Sequence, residues 1–237
     1  MQNNPVIRLF NEIAPKYDFL NHVFSFNCDR KWRKILLRSL DMQPDAEVLD
    51  VCTGTANIAL AMAEKHKSSK IYGIDLSAEM LKIGGIKVAQ KKLDGRIALI
   101  KADALRLPFP DSTFDIISIS FGIRNLVDRK RGIQEMKRVL KETGQIAILE
   151  FSPPQQSFLD KPYNLYLSRI IPFAGKIVSK SASAYQYLYT SIEDFIEPEE
   201  LVNLLKDVGL REITSKRLTF GIVYLYIARN HNTHSTR

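Results

Sequence analysis

Between residues 46 and 152 the chain alternates apolar, strand-like runs with helix-patterned segments, and nothing else in the sequence restricts the fold so strongly. "AEVLDVC" (46–52) reads as a buried strand and "ANIALAMAEKH" as the helix after it. "KIYGIDLS" (70–77) is a second strand, "AEMLKIGGIKVAQKK" a helix, and "RIALIKADA" (96–104) a third strand. A proline-containing loop leads to strand "FDIISISFG" (114–122) and helix "RKRGIQEMKRVLK"; "ETG" then turns the chain into strand "QIAILEFS" (145–152). Continuous apolar strands joined by helical crossovers predict a parallel sheet covered on both faces. Helix "EPEELVNLLKDVG" (197–209) resumes the order before strands "LREITSKRL" and "GIVYLYIAR". So short a turn separates these last two that they should pair antiparallel at one edge. The expectation is an α/β, Rossmann-like fold with seven strands, mostly parallel with one antiparallel edge strand, and helices on both faces.

Ahead of the sheet, "VIRLFNEIAPKYDFLNHVF" and "DRKWRKILLRSL" carry helical spacing broken at Pro15 and read as a helical cover over residues 1–44. After Pro153 the pattern lapses, with "YNLYLSRIIPFAGKIVSK" inside the gap, so 153–190 reads as an insertion over the sheet. The polar 230–237 segment reads as a flexible tail. At 237 residues and 45% hydrophobic, the chain can bury one core without a metal or disulfide staple.

Composition narrows the classes. Two cysteines, Cys28 and Cys52, are too few for a disulfide framework and fit a reducing compartment. The first ten residues lack a signal-peptide pattern and no apolar run reaches bilayer-spanning length, so a cytoplasmic protein is expected. The net charge of +8 is spread along the chain, with small concentrations at 29–34, 90–92 and 128–131. A solvated basic surface is the plain reading and an anionic membrane face the second; nothing marks a nucleic-acid binder. The four histidines, His22, His66, His231 and His234, show no metal-ligand pattern, and no metal is expected.

Ligands of such sheets bind at the carboxyl ends of the strands, near the point where strand order reverses. The first strand ends at Asp50 and enters the turn Cys52-Thr53-Gly54-Thr55; the second ends at Asp75. The third runs into Asp103-Ala104, and the fourth ends at Ser120, followed by Phe121-Gly122-Ile123-Arg124-Asn125. A dinucleotide would want three glycines for its pyrophosphate, and this turn has one. Asp75 lies 21 residues after Gly54, where an acid bonds ribose hydroxyls, and Asp103 can take an exocyclic amine. A nucleoside without a pyrophosphate, S-adenosylmethionine foremost, fits this set. Helix capping is the competing use of each aspartate.

These residues resemble the ubiquinone/menaquinone biosynthesis C-methyltransferases, quinone-ring methylases of the class I methyltransferase fold. "FNEIAPKYDFLNHVFSF…DRKWRK", "LDVCTGTANIA", "GIDLSAEML", "DALRLPFPDSTFDIISISFGIRN", "RVLKETGQIAILEFSPP", "YQYLYTSIEDF" and "LTFGIVYL" are similar to successive blocks of that family, from about residue 6 to 229. The resemblance implies one methyltransferase domain over 1–237, with the 153–190 insertion over the active site. It implies contacts to S-adenosylmethionine at Thr55, Asp75, Asp103, Ala104 and Ser120, beside Asp50 and Gly54 of the same turn. It departs from the family pattern in the cofactor turn, which is usually richer in glycine and has an acid where this chain has Asn57, at Asn27 and Asp29, where Gly and His are frequent, and at Tyr226, where His is frequent.

The implied reaction is C-methylation of a polyprenyl quinol, demethylmenaquinol first and 2-polyprenyl-6-methoxy-1,4-benzoquinol as the alternative, or both. Arg124 and Asn125 then become candidates to stabilise a phenolate and hold a substrate oxygen or relay water, and Tyr17 and Asp18 to position substrate or relay a proton. An ion pair is the competing use of Arg124. The prenyl tail implies a transient encounter with an anionic membrane surface, the protein staying peripheral at its inner face. Apolar residues interleaved with basic ones over 153–180 suit that role, a greasy channel, or plain packing and a homodimer contact. An RNA methyltransferase would share the fold, but base amino methylases place an Asn/Asp-Pro-Pro-aromatic turn where this chain has Ser120-Phe121-Gly122-Ile123.

Overall fold

The computed structural model describes residues 5–153 and 182–230. Helix α1 (Pro5–Ile13), a 3-10 turn at Ala14–Lys16, α2 (Tyr17–Phe24) and α3 (Cys28–Ser39) precede the sheet. The alternating part follows as β1 (Glu47–Val51), α4 (Asn57–Lys65), β2 (Lys70–Asp75), α5 (Ala78–Gln90), β3 (Ile97–Lys101) and β4 (Phe114–Ser120). A 3-10 turn at Ile123–Asn125 leads to α6 (Arg129–Val139) and β5 (Leu140–Phe151), and then come α7 (Ala182–Glu193), α8 (Pro198–Asp207), β6 (Arg211–Leu218) and β7 (Val223–Arg229). Of the expected insertion, α7 is described, and the greater part of it, like the tail from residue 231 on, lies outside the described residues.

The strands form one sheet in the order β3-β2-β1-β4-β5-β7-β6. All neighbours pair parallel except β5 with β7 and β6 with β7. The antiparallel pair therefore does stand at one edge, and its reversed member, β7, is tucked between β5 and β6. A strand arriving from α8 can take the outer position parallel to β5, and the short 219–221 turn then brings β7 back through the gap. Strand order reverses between β1 and β4, which makes the crevice above those two strands the natural site.

Side chains alternating across the strands build two cores. Val48, Ile71, Ile116 and Ala147 face α3 and α4, with Trp32, Leu36, Ile58 and Met62 among the residues packed on them. Leu49, Ile117, Ile119, Ile146 and Ile148 face α6 and α8, meeting Ile133, Met136, Leu201 and Leu205. Burial on both faces is why these strands read as unbroken apolar runs. The helices start where their caps say. Ser77 Oγ accepts from Met80 N, Asp128 Oδ1 accepts from Arg131 N, and Glu197 with Glu200 closes a capping box behind Pro198.

One boundary differs from the reading of the sequence. The "ETG" expected to turn before the fifth strand lies inside β5 as a bulge, where the register against β4 jumps from Phe114↔Leu140 to Ile116↔Gln145. The bulge closes because Gly144 has no side chain. A Cβ there would stand 2.6 Å from Leu140 Cδ1 and 3.0 Å from the Asp115 carbonyl oxygen.

Candidate active site

The turns after β1 and β4 meet at the switch point. A Cβ on Gly122 would lie 2.5 Å from Cys52 Cβ, so glycine is what allows the two turns to touch. Cys52, Ala56 and Phe121 hold φ values of 54°, 63° and 57°, left-handed backbone that non-glycine residues rarely adopt. Such conformations concentrate where the surrounding structure must hold a functional geometry.

A pocket opens above this junction. Its floor is Cys52, Gly54, Ile74 and Asp75; Leu76, Ser77, Met80, Ala102 and Ala104 form one side and Ser120, Phe121, Gly122, Asn125 and Leu126 the other. Val6, Ile7 and Phe10 of α1 and Tyr17 of α2 complete the wall as a roof. Asn11 fixes the roof by accepting from Ser77 Oγ at 2.6 Å.

Asp75 sits at the centre of the cofactor candidates. Its Oδ2 accepts from Gly54 N and its Oδ1 from Ser77 N, each at 2.9 Å, which joins the β1 turn to the start of α5. Burial raises its pKa against the pull of these amides. Ser120 Oγ is buried and has no hydrogen-bond partner among the described residues, as a hydroxyl awaiting a ligand would be. Asp103 accepts from Leu105 N at 2.9 Å and is not on the pocket wall, although Ala102 and Ala104 on either side are.

Asp50 lies beneath the turn, 1% exposed, accepting from Thr53 Oγ1 and Ser118 Oγ at 2.6 Å each. Burial pushes its pKa up to about 6. Thr55, also 1% exposed, donates its hydroxyl to Asp18 Oδ1 at 2.7 Å. Asp18 in turn accepts from Asn57 Nδ2 at 2.7 Å and is ion-paired with Lys87. Burial opposes the charge on Asp18, but the hydrogen bonds from Lys87, Thr55 and Asn57 hold its pKa below the ordinary value. These three partners clamp α2 to the cofactor turn.

The structure also pairs the charge of Arg124. Its Nη1 donates to Glu150 Oε1 at 2.7 Å and to the Phe121 carbonyl at 2.8 Å, and its Nε to Ser191 Oγ at 3.3 Å. Asn125, the next residue, is on the pocket wall, and Tyr187 on α7 donates to its Oδ1 at 2.8 Å. Tyr17 is half-buried, and desolvation raises its pKa against a side-chain hydrogen bond with Asn21, so its phenol is neutral at physiological pH. Cys52 is surrounded by acids. Burial pushes its thiol well up, with Asp75, Asp50, Glu150 and Asp103 adding to the shift, so it is no nucleophile.

Lys87, Glu150, Tyr187 and Ser191, together with the apolar roof of α1, were not singled out in the sequence. Glu150 alone had a local signal, a single acid near the end of an otherwise apolar strand. Among the described residues no group of three or more His, Cys, Asp or Glu is close enough to hold a metal ion.

A doubly wound sheet in the order β3-β2-β1-β4-β5-β7-β6, with a crevice at the β1/β4 switch and an acid at the end of β2, has the architecture of the class I methyltransferase fold. Solved structures agree at the level of fold. A SAM-dependent methyltransferase from Aquifex aeolicus superposes with a TM-score of 0.60 at 20% identity, covering 83% of this chain and 88% of that one. A phosphoethanolamine N-methyltransferase 2 from Haemonchus contortus, solved in complex with S-adenosyl-L-methionine, gives 0.65 at 17% identity over 86% of this chain and 53% of that one.

The chain belongs to the ubiE/COQ5 methyltransferase family, which it matches over residues 1–230. It is 42% identical over 219 residues to the ubiquinone/menaquinone biosynthesis C-methyltransferase UbiE of Geobacter sulfurreducens, covering 92% of this chain and 85% of that protein. It is 40% identical over 227 residues to the demethylmenaquinone methyltransferase of Porphyromonas gingivalis, covering 95% and 93%.

Proposed function

We propose that this chain transfers the methyl group of S-adenosylmethionine to a ring carbon of a polyprenyl quinol, demethylmenaquinol first and the ubiquinone-precursor benzoquinol as the alternative. Family membership supports the reaction. The observation that carries it to this site is the pocket at the sheet's switch point, with Asp75 on its floor, an apolar roof and Asn125 on the opposite wall.

The residues suit a cationic nucleoside. Asp75 can accept from ribose hydroxyls, Leu76, Met80, Ala102 and Ala104 can flank a base, and the unpartnered Ser120 hydroxyl can bond its bound neighbour. Four acids, Asp50, Asp75, Asp103 and Glu150, act together on Cys52 in the pocket floor. The carboxylate of Asp75 on the pocket floor favours a sulfonium and disfavours the pyrophosphate of a nicotinamide dinucleotide. The cofactor, when bound, supplies an electrophilic methyl on a good leaving group.

What the chain must add is orientation and stabilisation of a phenolate, whose adjacent ring carbon is the nucleophile. Tyr187 donates to Asn125 Oδ1 and the amide nitrogen donates one hydrogen to the Phe121 carbonyl at 3.4 Å, so its second hydrogen is left to hold the substrate oxygen as that gains negative charge. The neutral Tyr17 phenol is a second donor on the wall. Arg124, its charge matched by Glu150, fixes the turn that carries Asn125. Asp50, Thr55 and Asp18 shape the cofactor turn from beneath and behind. The ring proton released after methyl transfer goes to water in the pocket mouth.

Among the described residues no helix is long and apolar enough to cross a membrane. A prenylated substrate lives in one, so the protein is proposed to meet its substrate at the inner face of the membrane as a peripheral protein. The test is an assay with isotopically labelled donor and each reduced quinol precursor, followed by mass spectrometry of the lipid. Label in the ring of either quinol supports the proposal; label in neither, with donor bound, overturns it.

A further inference from the structure

Among the described residues six large apolar side chains are exposed, and five of them lie on α2 and its exit turn, which begins at the pocket residue Tyr17, or in turns that follow strands β4 and β6. Phe19, Val23 and Phe26 belong to α2 and the turn leaving it; Val127 follows the 3-10 turn after β4; Phe220 lies in the turn between β6 and β7. Chance exposure would scatter such residues over the whole surface. Two of them carry a further cost. Phe26 and Phe220 are 75% and 73% exposed and hold φ values of 48° and 58°, so bulky apolar groups stand out in water on left-handed backbone.

The spacing makes a ridge of the first three. Phe19 and Val23 are four residues apart and Phe26 three further on, so they follow one side of α2 into its exit turn. α3 continues directly from there. It buries Asp29, Trp32 and Leu36 and turns Arg30, Lys31, Lys34 and Arg38 to solvent on the opposite face. The only acid of α3, Asp29, is buried and bound to Arg33, and among the described residues no carboxylate is ion-paired with those four cations. Trp32 Nε1 donates to Thr219 Oγ1 at 2.7 Å, which locks α3 beside the turn that carries Phe220. An apolar ridge, an exposed aromatic and an unbroken basic stripe thus stand on one rigid support next to the pocket mouth.

We propose that α2, α3 and the 219–221 turn form the face by which this protein seats on an anionic phospholipid bilayer, Phe19, Val23, Phe26 and Phe220 entering the headgroup layer and the α3 cations holding lipid phosphates. The inference rests on the quinol reading only for its purpose, which is to bring the pocket mouth to the layer where a prenylated ring resides. Reversible docking takes two signals, apolar insertion and charge, and this face carries both. A nucleic-acid surface would use the cations and stack bases on the phenylalanines, but would gain nothing from aliphatic Val23 in the same ridge.

The test is co-sedimentation of the full chain with vesicles of equal parts phosphatidylglycerol and phosphatidylethanolamine, beside vesicles of phosphatidylcholine alone. The wild-type chain is expected to bind the anionic vesicles, to be released as salt is raised, and to bind phosphatidylcholine weakly. Reversing the stripe (Arg30→Glu, Lys31→Glu, Lys34→Glu, Arg38→Glu) is expected to lower the partition coefficient on the order of a hundredfold or more. Phe19→Ser with Phe220→Ser is expected to lower it about tenfold or more while leaving salt sensitivity in place. Should the reversed chain fail to fold, the lipid and salt dependence of the wild type decides. Equal binding to both vesicle types, no binding to either, or tighter binding to an RNA oligomer than to anionic vesicles overturns the proposal. Methylation of a detergent-dispersed quinol by a wild-type chain that ignores vesicles sinks this inference alone. A chain that docks on vesicles yet methylates neither quinol sinks the proposed function alone.

Discussion

Glu150 Oε1 lies 2.7 Å from Arg124 Nη1, the carboxylate fully buried and the guanidinium 5% exposed. The same carboxyl group accepts from Phe151 N and Arg124 N, and the guanidinium stands over the Phe151 ring. The end of β5 is thereby tied to the turn after β4, and Asn125 is held on the pocket wall by a pair that itself does not reach the pocket.

Breaking that pair strands a buried charge. Glu150→Ala is expected to cost about 3–5 kcal/mol in denaturant unfolding, because the guanidinium keeps its desolvation penalty and loses its partner. Glu150→Gln should cost less, since the amide oxygen still accepts. In a double-mutant cycle Arg124→Met should be far less damaging on the Glu150→Gln background than alone. Additive losses would mean that the two residues act independently.

Tyr187 tests the orientation of the Asn125 amide. Tyr187→Phe removes one hydroxyl whose partner is half-buried, so stability should fall only about 1 kcal/mol. If Asn125 must present its nitrogen to the phenolate, kcat should drop about tenfold or more with donor affinity unchanged, and the rising limb of the kcat–pH profile should move to higher pH. A packing role alone would change stability and leave the pH profile where it is.

The sheet was legible because its strands are buried on both faces and read as apolar runs, and the site because acids and small residues stand at successive strand ends. Asp75 and Gly54, which line the pocket, needed only that local pattern, whereas Ala104 and Ser120 came mainly from the family resemblance. What escaped is paired across long stretches of chain. Lys87 meets Asp18 from 69 residues away and Tyr187 meets Asn125 from 62, separations at which no periodicity carries information. Arg124 could be located but not its charge balance, which depends on which side of β5 presents Glu150. The position of β7 between β5 and β6 is likewise a matter of whole-sheet topology. "ETG" misled because the same residues suit a turn and a bulge, and only the crossing of Leu140 over Gly144 decides between them.

Asp18 is expected to report on the roof. Asp18→Ala removes the acceptor shared by Thr55, Asn57 and Lys87, loosening α2 from the cofactor turn. Donor affinity measured by calorimetry should weaken about tenfold, corresponding to one or two net hydrogen bonds. Asp18→Asn, which keeps one acceptor, should fall between. A proton-relay role predicts the opposite split, with affinity intact and kcat reduced.

Asp50 sets a pH dependence of unusual sign. Its pKa is pushed up to about 6 by burial, against the ordinary aspartate value of the unfolded chain. Below about pH 4 the group is protonated in both states and contributes nothing. From there to about pH 6 the folded state holds a proton that the unfolded state has lost, so this residue's contribution falls as pH rises. Above about pH 6 the deficit is constant, on the order of 3 kcal/mol. Paired carboxylates with lowered pKa values, such as Asp18 and Glu135, act in the other direction, so the signature lies in a difference. Asp50→Asn can keep both hydroxyl contacts, one through its oxygen and one by donating to Thr53 or Ser118. The unfolding free energy of the wild type minus that of Asp50→Asn should therefore decline across pH 4–6 and level off above it. Parallel curves over that range would mean that Asp50 ionises in the folded protein as it does in water, and that the turn is held without a strained carboxylate beneath it.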